Sequence, residues 1–204
     1  KNAQWVGNPL RSAFMQQPAA AERYAGRSGP LKLLVVGGSL GARALNELVP
    51  KALALIHPAQ RPQVIHQSGA AQIDALRAHY AAAGVSAELT PFIDDTAQAF
   101  ADADVLICRA GASTITELAA VGAAAVFVPF PAAVDDHQTV NARFLVEAGG
   151  GWLMPQAGLT PEALASLLQN MNRSSLLERA QAAERLKQIN ATASVVAACE
   201  ELAS

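Results

Sequence analysis

The chain has 204 residues, of which 51% are hydrophobic and 16% are charged, a composition that excludes an intrinsically disordered protein. Its two cysteines, Cys108 and Cys199, are too few for a disulfide framework or for a zinc site built from thiolates. The formal net charge of -2 offers no basic surface for nucleic acid, and no apolar run approaches the roughly 20 residues that a membrane span requires.

Residues 1–29 have the character of a connecting segment rather than of a domain. The chain begins with Lys1 instead of methionine, which indicates processing, a disordered start or a fragment, and we expect that something N-terminal to it has been removed. Asn8-Pro9 disfavours helix, a short helix is predicted from Pro18 to Arg27, and Gly29-Pro30 follows it.

Strands and helices alternate over residues 30–158. Short apolar runs predict strands at Leu31–Val36, Gln63–His66, Ala87–Thr90, Val105–Cys108, Ala124–Val128 and Trp152–Met154. The predicted helices span Ala42–Ile56 and Ala71–Ala83, then run from an Asp94 or Asp95 cap to Ala101, from Ser113 or Thr114 to Val121, and from an Asp135 or Asp136 cap to Ala148. Pro50 predicts a kink or a break in the first of these helices.

Residues 159–204 show only helical patterns. Thr160 and Pro161 are typical of a helix start, and two more helices are predicted over Ser175–Lys187 and Ala191–Leu202. The whole pattern predicts an α/β fold, a Rossmann-like parallel sheet of about six strands with helices on both faces and a helical C-terminal tail.

In such a sheet a ligand binds beyond the carboxyl ends of the strands. The first of these ends carries Gly37-Gly38-Ser39-Leu40-Gly41 and opens a helix, so free N–H groups and the Ser39 hydroxyl favour a phosphate. The alternative is a tight turn that needs small residues. The glycine spacing matches neither the G-x-G-x-x-G motif of nicotinamide dinucleotide sites nor the P-loop motif, which argues against both kinds of site.

A second strand-to-helix turn spans Arg109–Glu117 and contains Gly111, Ser113 and Thr114. Two such loops on neighbouring strands suit a pyrophosphate. The Glu117 carboxylate is suited to accept hydrogen bonds from two ribose hydroxyls, or else only compensates the helix dipole.

The third polar group, Asp135-Asp136-His137-Gln138, is either an ordinary helix cap or a cluster that binds a sugar, with Gln138 as donor and acceptor. Arg11 is either a solvated surface residue or, if its segment folds over the strand ends, a phosphate ligand. His57, His66 and His79 are interpreted as structural. No ligand spacing indicates a metal, and no cofactor is expected.

Several segments in chain order carry a resemblance that covers nearly the whole sequence: Val6–Arg11, Gly37–Arg43, His66–Gly69, Phe92–Asp95, Arg109–Glu117, Val128–Pro131 and Asp135–Gln138. The chain resembles the C-terminal half of the MurG family, inverting GT-B glycosyltransferases of bacterial peptidoglycan synthesis. These enzymes transfer N-acetylglucosamine from its UDP donor to undecaprenyl-pyrophosphoryl-muramyl-pentapeptide. One departure is visible at Ala132, where the resemblance leads us to expect histidine.

The resemblance implies two Rossmann-like domains that face each other across a cleft, with the donor nucleotide on the C-terminal one. It also implies that Ser39, within the loop of Gly37, Gly38 and Gly41, binds phosphate with Arg11 nearby, and that Ser113 and Thr114, after Gly111, bind the pyrophosphate. The backbone of Ile93, beside Phe92, is implied to bind the uracil, and Glu117 to bind the ribose. His137 and Gln138 are implied to bind the sugar hydroxyls.

In the family the catalytic base and the surface for the lipid-linked acceptor belong to the N-terminal domain. The resemblance therefore implies that this chain binds UDP-N-acetylglucosamine without turnover and contains no catalytic residue. It further implies a peripheral position on the cytoplasmic face of the inner membrane, a soluble isolated chain and a tendency to self-associate. The alternatives are a UDP-sugar epimerase-type domain, a nicotinamide oxidoreductase domain and a non-catalytic nucleotide-binding module.

Overall fold

The computed structural model describes residues 6–38, 42–131 and 136–203. Its strands are β1 (Lys32–Val36), β2 (Gln63–Gln67), β3 (Glu88–Thr90), β4 (Val105–Cys108), β5 (Ala125–Phe127) and β6 (Gly151–Leu153). All neighbouring pairs are parallel, and the strands lie in the order β3-β2-β1-β4-β5-β6. The predicted α/β fold with a parallel sheet of about six strands is confirmed.

The helices are α1 (Ser12–Met15), α2 (Ala20–Ala25), α3 (Arg43–Ala54), α4 (Ile73–Ala83), α5 (Thr96–Asp102), α6 (Ala112–Val121), α7 (His137–Val146), α8 (Pro161–Gln169), α9 (Arg173–Glu184) and α10 (Ala191–Ala203). Short 3-10 turns precede β2 at Pro58–Gln60 and α4 at Ala70–Gln72. None of the helices in the described part of the chain is long and apolar enough to cross a membrane.

Alternation along the buried strands divides the core into two halves. In β1, Leu33 and Val35 pack into one half together with α3, α4 and α8, whereas Leu34 enters the other half. That second half contains Phe100 of α5 and Leu118 of α6. Because successive side chains of a strand point to opposite faces, the sheet is covered on both sides and its polar strand ends are left for ligands.

Several local features differ from the sequence-based predictions. The prediction of a break at Pro50 was wrong, because α3 continues through Pro50 and buries this residue together with Val49 and Leu53. The packing of this apolar face on the sheet therefore outweighs the lost hydrogen bond. Residues 12–15 form α1, a helix that the sequence analysis did not predict.

Two helix starts also differ. Neither Ser113 nor Thr114 opens α6, because Gly111 is its N-cap and its carbonyl accepts from the Ile115 N–H at 3.0 Å. Asp136 occupies the N-cap position of α7 but makes no side-chain cap bond. Its φ of 51° directs the carboxylate elsewhere, and Oδ1 accepts from the Thr139 hydroxyl at 2.7 Å. The Asp95 and Thr160 caps, by contrast, are confirmed.

Candidate functional site

The order of the strands places a crevice between β1 and β4. The chain leaves β1 toward β2 on one side and leaves β4 toward β5 on the other, so the loops that follow these two strands diverge. An open cleft of about 730 Å³ lies at this point. It brings together five residues that the sequence analysis predicted for the site: Gly37, Gly38, Gly111, Thr114 and Gln138.

The glycine loop after β1 forms one wall of the cleft. Gly38 has a φ of +82°, a backbone conformation that side-chain-bearing residues rarely adopt, which explains glycine at this position. The Gly37 N–H donates to the Gln67 carbonyl at 3.3 Å, and the Gly38 carbonyl accepts from the Gln67 side chain at 3.1 Å. Ser39 and Gly41, which were predicted for the phosphate, lie outside the described residues.

The start of α6 forms the opposite wall. Since the first intrahelical bond is donated by Ile115, the N–H groups of Ala112, Ser113 and Thr114 have no acceptor within the helix. A Cβ at Gly111 would meet only the Thr114 hydroxyl, at 3.8 Å. Glycine here therefore leaves space in the cleft beside amide donors that favour an anion.

The arriving N-terminal segment lies against α5 and α6, whereas the phosphate hypothesis for Arg11 requires that it fold over the strand ends. The Arg11 guanidinium, however, contacts the residue predicted for the ribose, with Nη2 at 3.4 Å from Glu117 Oε1. It also donates to the Thr96 hydroxyl at 3.3 Å and lies over the Phe14 ring at 4.8 Å. Asn8 holds the same segment to α6 by donating to the Thr116 hydroxyl at 3.1 Å.

Glu117 lies one turn after Ser113 on α6 and is half-buried. Burial raises the pKa of its carboxyl above the ordinary value, and the nearby Arg11 guanidinium only partly offsets that rise. Glu117 is thus a carboxylate whose ionisation depends on a residue of the connecting segment.

The loop after β3 carries the residues predicted for the uracil. Phe92 is 52% exposed, and its carbonyl accepts from the Thr90 hydroxyl at 2.6 Å. Ile93 packs against the core with its side chain, and no hydrogen bond of its backbone is made within the described residues. Its N–H and C=O are therefore free to pair with the edge of a base.

The start of α7 is tied to the loops after β4 and β5. Gln138 Oε1 accepts from the Phe130 N–H at 2.9 Å and from the Ala110 N–H at 3.3 Å. Asn141, which the sequence analysis missed, donates to the Ala110 carbonyl at 3.1 Å. The prediction that Gln138 is both acceptor and donor for a ligand is corrected, because its acceptor is already engaged. His137, the first residue of α7, precedes it in the same turn.

Arg109 was quoted in the sequence motif but given no role. Its guanidinium donates to the carbonyls of Val128 at 2.9 Å and Pro129 at 3.0 Å, and to Gln156 Oε1 at 2.7 Å. It also lies 5.5 Å from the centre of the Phe130 ring. Its position directly after β4 is a sequence signal for the contact with the loop after β5, since neighbouring strands of a parallel sheet end at the same edge.

Comparison with known proteins agrees with this geometry. Residues 32–196 match the glycosyltransferase family 28 C-terminal domain. The chain belongs to this family. As a family 28 domain it spans about half the length of the curated relatives it matches, because it covers 52% of one and 57% of another.

Two curated relatives have the same name, UDP-N-acetylglucosamine–N-acetylmuramyl-(pentapeptide) pyrophosphoryl-undecaprenol N-acetylglucosamine transferase. The protein from Polaromonas sp. strain JS666 is 70% identical over 203 residues, which is 100% of this chain and 52% of that relative. The protein from Azoarcus sp. strain BH72 is 60% identical over 203 residues, covering 100% of this chain and 57% of that relative.

Solved structures agree with the fold. The crystal structure of Acinetobacter baumannii MurG superposes with a TM-score of 0.86 at 43% identity, covering 92% of this chain and 55% of that one. The glycosyltransferase VinC, in complex with dTDP, gives a TM-score of 0.57 at 17% identity, covering 91% of this chain and 45% of that one. The second likeness shows the fold alone.

Proposed function

We propose that this family 28 domain is the donor-binding half of an inverting glycosyltransferase that takes N-acetylglucosamine from UDP-N-acetylglucosamine. The acceptor is the lipid-linked muramyl-pentapeptide that the relatives' name contains, bound through the half that this chain does not span. The observation that carries the proposal is the pair of glycine-bearing loops, around Gly38 and Gly111, that open on one cleft at the switch point of the sheet.

The cleft offers donors where a nucleoside diphosphate carries negative charge. The diphosphate binds between the glycine loop, with Ser39, and the free N–H groups of Ser113 and Thr114. Glu117 holds the ribose hydroxyls, and the adjacent Arg11 turns its remaining donors to the phosphates.

The two ends of the donor reach neighbouring loops. The Ile93 backbone pairs with the uracil edge beside the exposed Phe92 ring. Gln138 uses its Nε2 group on the sugar hydroxyls, since Oε1 is engaged by two backbone N–H groups, and His137 lies next to it.

The reaction requires little covalent chemistry from these residues. The 4-hydroxyl of the acceptor attacks the anomeric carbon, the bond from that carbon to the UDP oxygen breaks, and UDP leaves with the electron pair. The hydroxyl proton passes to a base that we place in the other half of the enzyme. The N-terminus of α6 stabilises the negative charge that develops on the departing diphosphate.

The lipid-linked acceptor implies that the complete enzyme works peripherally on the cytoplasmic face of the bacterial inner membrane. On this chain, Val140 and Phe144 of α7 are 62% and 43% exposed. We expect this apolar surface to promote weak self-association of the isolated chain. Sedimentation at increasing protein concentration tests that expectation.

Calorimetry with UDP, UDP-N-acetylglucosamine and NAD tests the proposal. We expect one site for each uridine compound, no binding of NAD, and no product when lipid-linked acceptor is added to this chain alone. Binding of NAD without UDP would support the oxidoreductase alternative. Isomerisation of the sugar nucleotide would support the epimerase alternative, and robust transfer by these residues alone would contradict the assignment of the base.

A further inference from the structure

Gln67 joins two loops that the sequence analysis treated as separate. It is the last residue of β2, between β1 and β3, and it is 2% exposed. Its Nε2 group donates to the Gly38 carbonyl at 3.1 Å and to the Pro91 carbonyl at 2.9 Å. The first carbonyl belongs to the glycine loop, and the second comes directly before Phe92 and Ile93.

The orientation of this amide is fixed by its surroundings. Both neighbours are carbonyl oxygens, so only the NH₂ end can face them, and Oε1 must point away. That oxygen is buried and has no hydrogen-bond partner among residues 6–38, 42–131 and 136–203. An unpaired buried acceptor costs stability, and the amide offsets that cost only through the two hydrogen bonds that its Nε2 group donates.

We propose that Gln67 is a positioning residue that sets the distance between the phosphate-binding and base-binding parts of the cleft. The inference rests on the proposed function. A nucleoside diphosphate reaches only a limited range of distances from base to phosphate, and it gains from both loops only when their separation falls within that range. A donor to both carbonyls holds the loops at one separation before the ligand arrives, which lowers the cost of ordering them on binding.

This role differs from simple support of the fold in what it predicts for ligands of different length. A ligand that contacts only one loop gains nothing from the two hydrogen bonds of Gln67, whereas a ligand that spans both loops depends on the separation that they set. Uridine and UDP form such a pair, because they share the base and ribose and differ in the diphosphate. The ratio of the UDP affinity to the uridine affinity therefore measures how strongly binding depends on the two hydrogen bonds of Gln67.

The first experiment is calorimetry of the chain and of Gln67→Met with UDP and with uridine. Methionine has a similar size, cannot donate, and also removes the unpaired oxygen. We expect the melting temperature to stay within about 4 °C of the unchanged chain. UDP affinity should fall roughly tenfold, because binding must then order two loops that are no longer held together, while uridine affinity should change less than about twofold. Equal changes for both ligands, or none, would overturn the proposal.

Gln63→Met is the matched control, because Gln63 starts the same strand at the opposite end and is exposed. It should leave both affinities unchanged. Gln67→Glu provides a second variant of the same shape. Its carboxylate would face the Gly38 and Pro91 carbonyls without a proton to donate, so it should weaken UDP binding more than Gln67→Met does.

A measurement on the unchanged chain covers the case in which both variants fail to fold. Uridine should shift the carbonyl carbon resonance of Gly38, because the two hydrogen bonds of Gln67 transmit a contact at the Phe92 loop to the glycine loop. An unperturbed Gly38 signal in a chain that binds uridine would overturn the inference alone. A chain that binds neither UDP nor uridine would overturn the proposed function, and the inference with it.

Discussion

Arg11 and Glu117 are separated by 106 positions in the sequence, yet Arg11 Nη2 lies 3.4 Å from Glu117 Oε1. The arginine belongs to the connecting segment, and the glutamate belongs to the second turn of the helix that borders the cleft. The arginine side chain is 64% exposed and the glutamate side chain 18% exposed, so this pair contributes little to stability. Its consequence is electrostatic: the connecting segment adjusts the charge of a residue at the proposed ribose site.

Removing the Glu117 carboxylate should weaken nucleotide binding. We expect Glu117→Ala to reduce the free energy of UDP binding by about 1–3 kcal/mol, because two ribose hydroxyls lose a charged acceptor. Calorimetry measures this change. Glu162→Ala, at an exposed glutamate in the first turn of α8, is the control and should bind UDP normally. An unchanged affinity in Glu117→Ala would count against the ribose role.

The pH dependence of uridine binding should follow Glu117. Burial raises the pKa of this carboxyl, so its ionised form is lost on acidification at a higher pH than for an ordinary carboxyl of pKa 4.5. Uridine affinity should therefore fall as the pH decreases through that raised pKa. Uridine is the better probe because UDP titrates near pH ~6 through its own phosphate.

The same titration isolates the contribution of Arg11. Since its guanidinium lowers the pKa of Glu117, Arg11→Met should move the midpoint of the uridine profile to higher pH. Glu117→Gln should make the profile flat over the same range. A midpoint in Arg11→Met that stays in place or moves to lower pH would show that the two side chains do not interact in solution.

Gly111→Ala should separate binding from stability. The new Cβ meets only the Thr114 hydroxyl, at 3.8 Å, so thermal unfolding should report a loss of no more than ~1 kcal/mol from the poorer N-cap. UDP binding should weaken several-fold, because the methyl group occupies the cleft beside the amide donors. Gly26→Ala is the control, since a Cβ there meets nothing within 4 Å. Full UDP affinity in Gly111→Ala would place the diphosphate elsewhere.

Asp104 should be the most sensitive charged position for stability. Its buried carboxylate lies 2.7 Å from Arg27 Nη1 and 3.4 Å from Arg173 Nη2, and it accepts from the Lys32 N–H at 2.8 Å. Asp104→Ala leaves the two guanidinium groups without this carboxylate and the Lys32 N–H without its acceptor, and should cost about 3–5 kcal/mol in denaturant unfolding. Asp74→Ala removes an exposed pair with Arg77 and should cost less than ~1 kcal/mol. Equal losses of unfolding free energy in the two variants would show that burial does not determine how much each ion pair contributes to stability.

His66 should make the protein sensitive to acid. Its ring is buried between the Tyr80 hydroxyl, 2.9 Å from Nδ1, and Asn46 Oδ1, 3.0 Å from Nε2. Burial lowers the pKa of His66 from 6.5 to about 3. Between these values the unfolded chain binds a proton that the folded chain does not, so stability falls as the pH falls.

The slope attributable to His66 is at most about 1.4 kcal/mol per pH unit. His66→Gln should reduce that slope, as measured by denaturant unfolding between pH ~6 and ~4. An equal slope in the chain and in His66→Gln would assign the acid sensitivity to other groups.

The sequence by itself determined the sheet and its order of elements. Val105–Cys108 is predicted and observed with the same bounds, and the other strands differ by one residue at one or both ends. A strand buried on both faces requires an uninterrupted apolar run, and such a run is visible locally. The same holds for Gly38, where a turn after an apolar run requires a residue tolerant of positive φ.

Only the tertiary structure decided which polar atoms meet. The Arg11 contact with Glu117, the two hydrogen bonds of Gln67 and the Arg109 bonds to the loop after β5 join residues far apart in sequence. Hydrogen bonds between distant loops depend on the positions of whole strands, to which every packed residue contributes, and they leave no periodic pattern. The sequence thus located the edge of the sheet where we propose that the ligand binds, and the folded chain determined which donors and acceptors remain available there.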